Sequence, residues 1–343
     1  MSGDGLDSGS TDFADSCSES EDGESEDGEY MEFEYLSPPS ASRTTTFASV
    51  IFRSGIIPRQ LAMILLSLAA SVHSPCFTCV EYFAGVQSIT NGFRDLDLPA
   101  AAFDVLTVSE EHDILTTPGF LRALVYVLCL EDDGLLWCAP PCSSWIWIGR
   151  STTGRSRDLP LGNERGKTAE ANCLVARVVL VILVGLVVHN ARVWMENPGS
   201  SIIEYHPRWA QLQALLGQLM DRVYIWMQSF GSEVRKPTLL YSTAERLQFM
   251  RRTGDASKRQ TVKTSWSWVD ADGRNHVTGH KQIIKNTAAY PRSFGKHIAQ
   301  HHVSHTQPMG PGISVQSLIR GPLSDDAWHD AKLPQVISDM GLL

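Results

Sequence analysis

From about residue 76 the chain alternates short apolar runs, each ending in Gly, Pro or an acidic residue, with longer segments of helical period. The runs are 77–85 (FTCVEYFAG), 101–106 (AAFDVL), 134–140 (GLLWCAP) and 191–198 (ARVWMENP). Between them lie 117–132 (TPGFLRALVYVLCLED), with Pro118 in its first turn, and an apolar helix from about 168 to 189. Short apolar runs bounded by turn residues read as buried strands. A further helix is expected from about 207 to 221, and strands in 222–230 (RVYIWMQSF) and 237–242 (PTLLYS). Strand and helix in alternation predict an α/β fold, a parallel sheet with helices on both faces. In such sheets ligands sit outside the carboxyl ends of the strands.

Charge divides the chain unevenly. Residues 1–42 hold thirteen carboxylates and no Lys or Arg, so the formal charge of −9 conceals a remainder with 29 basic and 25 acidic side chains. Residues 1–45 read as a disordered acidic tail with almost nothing to bury; solvation is its simplest role, and competition with a polyanionic ligand for a basic groove is the sharper one. The first residues lack an apolar stretch, which points to an intracellular protein, nuclear if eukaryotic. The longest apolar run, 178–188, is eleven residues, too short for a bilayer, and reads as a buried helix with no membrane partner.

Seven cysteines, Cys17, Cys76, Cys79, Cys129, Cys138, Cys142 and Cys173, are odd in number and lack framework spacing, which suits a reducing compartment. Cys76 and Cys79 have no second pair to complete a zinc site and read as core. His297, His301, His302 and His305 read as surface, so no metal is expected. Oligomeric state is open.

Gly85, Asp104, Cys142 and Glu196 all fall at or just beyond the ends of separate expected strands. Phe83, Ala84 and Gly85 form a small-residue turn where backbone can approach a ligand. Asp104 follows Glu81 by 23 residues, about the distance at which an acid takes ribose hydroxyls in dinucleotide folds. Pro140 and Pro141 hold an extended backbone that carries Cys142 past the sheet edge. The loop after it holds Arg150, Arg155, Arg157, Arg165 and Lys167 against Asp158 and Glu164, a source of positive potential for a thiolate and for phosphates. A thiol and the Glu196 carboxyl on nearby strand ends suit addition to an electron-poor ring. A buried cysteine beside a capping glutamate explains the same residues equally well.

The ordered set EYFAG, FDV, HDI, APPCSSW and MENPGSS resembles the DNA (cytosine-5) methyltransferase family over roughly residues 78–300. The resemblance implies a Rossmann-like class I methyltransferase sheet and S-adenosylmethionine as cofactor. Phe83, Ala84, Gly85 and Pro140 would line the cofactor site, with Asp104 at its ribose and Asp113 at the adenine amino group. Cys142 would be the nucleophile, and Glu196 would hold and protonate the base. Arg235 would position Glu196 or touch the base. The partner would be DNA, with RNA as an alternative acceptor, and a fold that binds nucleic acid without turnover is the other reading. Glu81 and Tyr82 stand where the family has Asp-Leu, and Pro198 where it has Val.

By this reading 46–75 is an N-terminal helical segment, 76–242 the catalytic core, 243–286 a small basic recognition region, 287–300 a closing helix and 301–343 a C-terminal tail. Arg251 and Arg252 lead the basic cluster of the recognition region and would meet phosphates with Arg150, Arg155, Arg157 and Arg165. A hairpin is expected around Asp272-Gly273. The basic loop after Cys142, with Trp145 and Trp147, is the candidate to close over a flipped base, although at least one of these tryptophans reads better as ordinary core.

Overall fold

Apolar runs rich in β-branched and aromatic residues form six strands: β1 (Phe77–Tyr82), β2 (Ala100–Phe103), β3 (Leu130–Cys138), β4 (Arg192–Pro198), β5 (Asp221–Trp226) and β6 (Pro237–Ser242). The computed structural model describes residues 47–69, 72, 75–146, 149–244, 250, 265–279, 289–305, 308, 310–318 and 320–342. The sheet order is β2-β1-β3-β4-β6-β5. β1 pairs in parallel with β2 and β3, and β3 with β4. β6 is antiparallel to both β4 and β5, so the sheet is mixed rather than wholly parallel. Residues 227–236 join β5 to β6, too short a link for a helical crossover, and the chain folds back.

Ten helices lie among the described residues: α1 (Phe47–Ser54), α2 (Arg59–Ala69), α3 (Ser88–Arg94), α4 (Thr117–Leu128), α5 (Arg150–Thr153), α6 (Lys167–His189), α7 (Pro207–Leu216), α8 (Arg292–His305), α9 (Val315–Leu318) and α10 (Leu333–Asp339). Alternate strand residues serve opposite faces. Val80, Leu136, Cys138, Val193 and Met195 join the core beneath α1, α2, α4, α6 and α7. Cys79, Leu135, Trp137 and Trp194 join the core beneath α3 and α8.

α6 is the one helix among the described residues long and apolar enough to cross a membrane, and most of it is buried inside this fold. From Val178 to Val188 it is apolar on every side, as an enclosed helical stretch must be. Gly185 lets it approach the sheet, since a Cβ there would meet Leu136 Cδ2 at 2.9 Å. On the other face, a Cβ on Gly295 of α8 would collide with the Ser88 carbonyl of α3.

Several expectations require correction. Residues 301–343 are not a tail: Val315, Leu318, Trp328, Leu333, Val336 and Ile337 are buried in the larger core. Buried Arg177 ties that segment down, donating to Ala331 O at 3.0 Å and to Ile114 O at 2.8 Å. The closing helix runs to His305, and its histidines are not simply surface: His301 is buried, and burial lowers the His302 pKa to about 4. The helix from 207 ends at Leu216, where Gly217 adopts φ 50°, and the strand from 221 ends at Trp226.

β7 (Ser265–Val269) and β8 (Asn275–Gly279) form the expected hairpin. Gly273 takes φ 77°, and the Asp270 N–H donates to Arg274 O at 3.0 Å, closing a three-residue loop. Elsewhere in the basic region Thr243, Ala244 and Met250 are buried, while Arg251 and Arg252 lie outside the described residues, as do 1–46 and Trp147.

Candidate functional site

Chain order places β2 on one side of β1 and β3 on the other, and this reversal makes the crevice between the carboxyl ends of β1 and β3 the favoured ligand position. The Ala139 N–H donates to Tyr82 O at 3.3 Å, so the segments leaving the two strands start side by side.

The segment leaving β1 turns sharply. Phe83, Gly85 and Gln87 have φ of 60°, 50° and 59°, a left-handed conformation that only glycine adopts without strain. Space beyond Gly85 is open, with no atom within 4 Å of where a Cβ would stand. The Phe83 N–H donates to Phe103 O at 2.8 Å and Ala84 O accepts the Gln87 N–H at 2.7 Å, fixing the turn against the end of β2. Asp104 Oδ2 accepts the Gly85 N–H at 3.0 Å, and Oδ1 accepts the N–H groups of Leu106 and Thr107 at 2.8 and 2.9 Å. Asp104 thus locks the two loops together. Around it Val86, Val105, Leu106 and Val108 are exposed, Leu106 to 90%. Asp113 Oδ1 accepts the Leu115 N–H at 3.0 Å, and the preceding His112 stacks on Phe103 with ring centroids 4.3 Å apart.

The segment leaving β3 passes through buried Pro140 to half-buried Cys142, whose carbonyl accepts the Trp145 N–H at 2.8 Å. Burial first, then the nearby Glu196 carboxylate, pushes the Cys142 thiol above the usual cysteine range, while Lys236 opposes them. Glu196 is 5% exposed in β4. Its Oε2 accepts the Tyr290 hydroxyl at 2.8 Å. Its Oε1 lies 3.2 Å from Lys236 Nζ, an ion pair without hydrogen-bond geometry, so this buried oxygen has no hydrogen-bond donor among the described residues. Asn197 Nδ2 donates to Glu196 O at 2.8 Å and holds the turn. Tyr290 stands edge-on to Trp137, its carbonyl accepts the Ser88 hydroxyl at 2.7 Å, and burial raises its own pKa.

The structure therefore brings Cys142 and Glu196 together and adds two residues that the sequence reading missed, Lys236 and Tyr290. Arg235 does not reach Glu196. It is exposed and lies 4.2 Å over the Trp226 ring, and the neighbouring Lys236 makes the ion pair. The cation that lowers the thiol pKa is likewise Lys236 rather than a loop arginine. Arg155 is 2% exposed, donates to Ser144 Oγ at 2.9 Å and to Thr168 O at 3.1 Å, and lies 3.5 Å over the Trp145 ring. It is built into the loop and does not face a ligand. Trp145 is 1% exposed between Arg155 and His206, so it cannot close over a base. Arg150, Arg157 and Arg165 are exposed.

Neither the protein-family models nor the curated proteins contain a match to this chain.

Proposed function

We propose that this chain methylates C5 of cytosine in DNA, using S-adenosylmethionine and a covalent bond between Cys142 and the base. The observation that carries the reading is Glu196: a buried carboxylate with one oxygen anchored by Tyr290, the other without a hydrogen bond, and a thiol within electrostatic range. Unpaired buried oxygens are costly, and one that a ligand completes is a reason to keep one.

The residues at the β1 turn fit the cofactor. Gly85 leaves open backbone, Asp104 puts a carboxylate at the strand end, and the exposed apolar side chains of Val86 and Leu106 offer flat contact for an adenine ring. Phe83, Ala84, Gly85, Asp104, Asp113 and Pro140 would hold it. When bound, it supplies an electrophilic methyl group.

Cytosine C5 is a poor nucleophile until the ring is opened to addition. The Cys142 thiol gives its proton to the Glu196 carboxylate, Sγ forms a bond to C6 as the C5–C6 π pair moves toward C5, and Glu196 passes that proton on to N3. Once C5 carries the methyl group, water takes the C5 proton, that electron pair restores the C5–C6 double bond and expels the sulfur as thiolate, and N3 returns its proton to the thiolate through Glu196. Lys236 holds Glu196 and favours the thiolate. A base inside a duplex cannot reach the crevice, so it must be flipped out, at a cost of a few kcal/mol. Arg150, Arg157 and Arg165 are exposed in the loop after Cys142 and would contact phosphates.

Methyl transfer from labelled cofactor to DNA and to RNA, comparing the natural chain with Cys142→Ala, tests this. Label on DNA that vanishes in Cys142→Ala, with a denaturant-stable adduct on DNA containing 5-fluorocytosine, is the expected result. Label on RNA alone changes the acceptor, and full activity in Cys142→Ala removes the covalent step.

A further inference from the structure

At the end of the sheet opposite Cys142, the residues immediately before β1 and before β3 are both cysteines. The Cys76 N–H donates to Cys129 O at 2.8 Å, and the Phe77 N–H donates to the same oxygen at 3.0 Å. The second of these bonds belongs to the pairing in which Phe77 faces Leu130, and Cys129 is the residue that ends α4. The Cys76 thiol is near enough to act on the Cys129 thiol and raise its pKa. Neighbouring strands lie about 4.8 Å apart, inside the range of Cα separations that a disulfide spans. Cys76 is exposed, Cys129 is half-buried, and both are free thiols. A cavity of about 250 Å³ lies against Pro75 and Leu128, the residues that precede the two cysteines, and is lined also by Val72 and His189.

We propose that Cys76 and Cys129 form a peroxide-responsive dithiol that closes to an intrachain disulfide. Cys76, the exposed partner, attacks first: its sulfur bonds to one peroxide oxygen as the O–O bond breaks, giving a sulfenic acid and one water. Cys129 then attacks that sulfur, the S–S bond forms, the S–O bond breaks, and a second water leaves. Two thiols are oxidised by two electrons in all, and one peroxide is reduced to two waters. Burial, with the Cys76 thiol beside it, pushes Cys129 up to about 11, which suits it to the second step rather than the first. Among the described residues Cys79, Cys138 and Cys173 are buried and Cys142 is half-buried with its thiol pKa raised, which leaves Cys76 as the exposed thiol with a second one beside it. The bond would tie the first strand to the third where the N-terminal helices lead into the sheet.

The test treats the reduced full chain with a small excess of hydrogen peroxide, blocks remaining thiols with N-ethylmaleimide, and maps chymotryptic peptides by mass spectrometry. Cleavage after Phe77 separates Cys76 from Cys79. The expected product is a single Cys76–Cys129 cross-linked peptide, two hydrogens lighter than its parts, reversed by dithiothreitol and absent from Cys76→Ser and Cys129→Ser. The oxidised chain should melt several degrees higher than the reduced one. Oxidation of Cys76 to sulfinic acid without the link, a link to Cys79 or to a second chain, or oxidation of Cys142 ahead of the pair would overturn the proposal. Should either serine variant fail to fold, the peptide map of the natural chain decides alone.

Discussion

The Tyr290 hydroxyl donates a 2.8 Å hydrogen bond to Glu196 Oε2, joining the segment before α8 to the end of β4 across 94 residues of chain. A hydrogen bond to a buried carboxylate contributes about 1.5–3 kcal/mol, and here it leaves Oε1 as the carboxylate oxygen without a hydrogen bond. Tyr290→Phe keeps the ring against Trp137 and Phe294. If the chain transfers methyl groups as proposed, kcat/KM is expected to fall roughly 10–100-fold with a small change in melting temperature. Unchanged kcat/KM would show that Tyr290 only packs.

Cys142 sits between one group that raises its pKa and one that lowers it, and the two can be removed separately. Alkylation by iodoacetamide should increase with pH, with a midpoint above that of an ordinary cysteine, because burial and Glu196 disfavour the thiolate. Glu196→Gln removes a repelling charge and should shift the midpoint down. Lys236→Gln removes the attracting one and should shift it up. Shifts of the same sign in both variants would mean that the thiol does not sense the pair.

Arg155 and Arg157 are two residues apart and are expected to behave oppositely. Arg155 is enclosed by Ser144, Thr168 and the Trp145 ring, and burial lowers its pKa to about 10. Arg155→Ala leaves buried acceptors without their donor and should cost about 3–5 kcal/mol of stability. Arg157→Ala leaves the fold intact and, if the loop meets phosphates, reduces the salt dependence of DNA binding by about one unit of slope. Equal melting temperatures for the two variants would count against the burial argument.

The strands, and with them Gly85, Asp104, Cys142 and Glu196 at their ends, could be read from local pattern, because period and turn residues are properties of neighbours in sequence. What could not be read depends on distant pairing. Lys236 and Arg235 are equivalent in sequence, and only the register of β6 against β4 decides which one reaches Glu196. Tyr290 has no local signal at all, since its partner is on another strand. Arg155 looks like its exposed neighbours because burial of a charge is decided by the loop closing around it. The C-terminal segment reads as a tail because its buried residues, such as Trp328 and Val336, are spread among polar ones and gain meaning only against α6. The exposed Leu106 is a different omission: a bare apolar side chain beside an acid at a strand end is a signal that composition alone hides.

Glu81 carries the last expectation. It is fully buried in β1, its Oε2 accepts the Thr90 N–H at 2.7 Å and the Thr90 hydroxyl at 2.6 Å, and still burial outweighs these bonds and raises its pKa to about 7. The unfolded chain releases this proton near the ordinary carboxylate value of 4.5, so between there and about 7 the folded state holds more protons. Stability from this group is therefore full below about 4.5 and is lost as pH rises through about 7, by up to about 3 kcal/mol. Glu81→Gln mimics the protonated form at every pH. Its melting temperature relative to the natural chain should be several degrees more favourable at pH 8 than at pH 5, with other titrating groups cancelling in the comparison. A difference that stays constant between the two pH values would mean that Glu81 is ionised throughout, with the Thr90 bonds dominating burial.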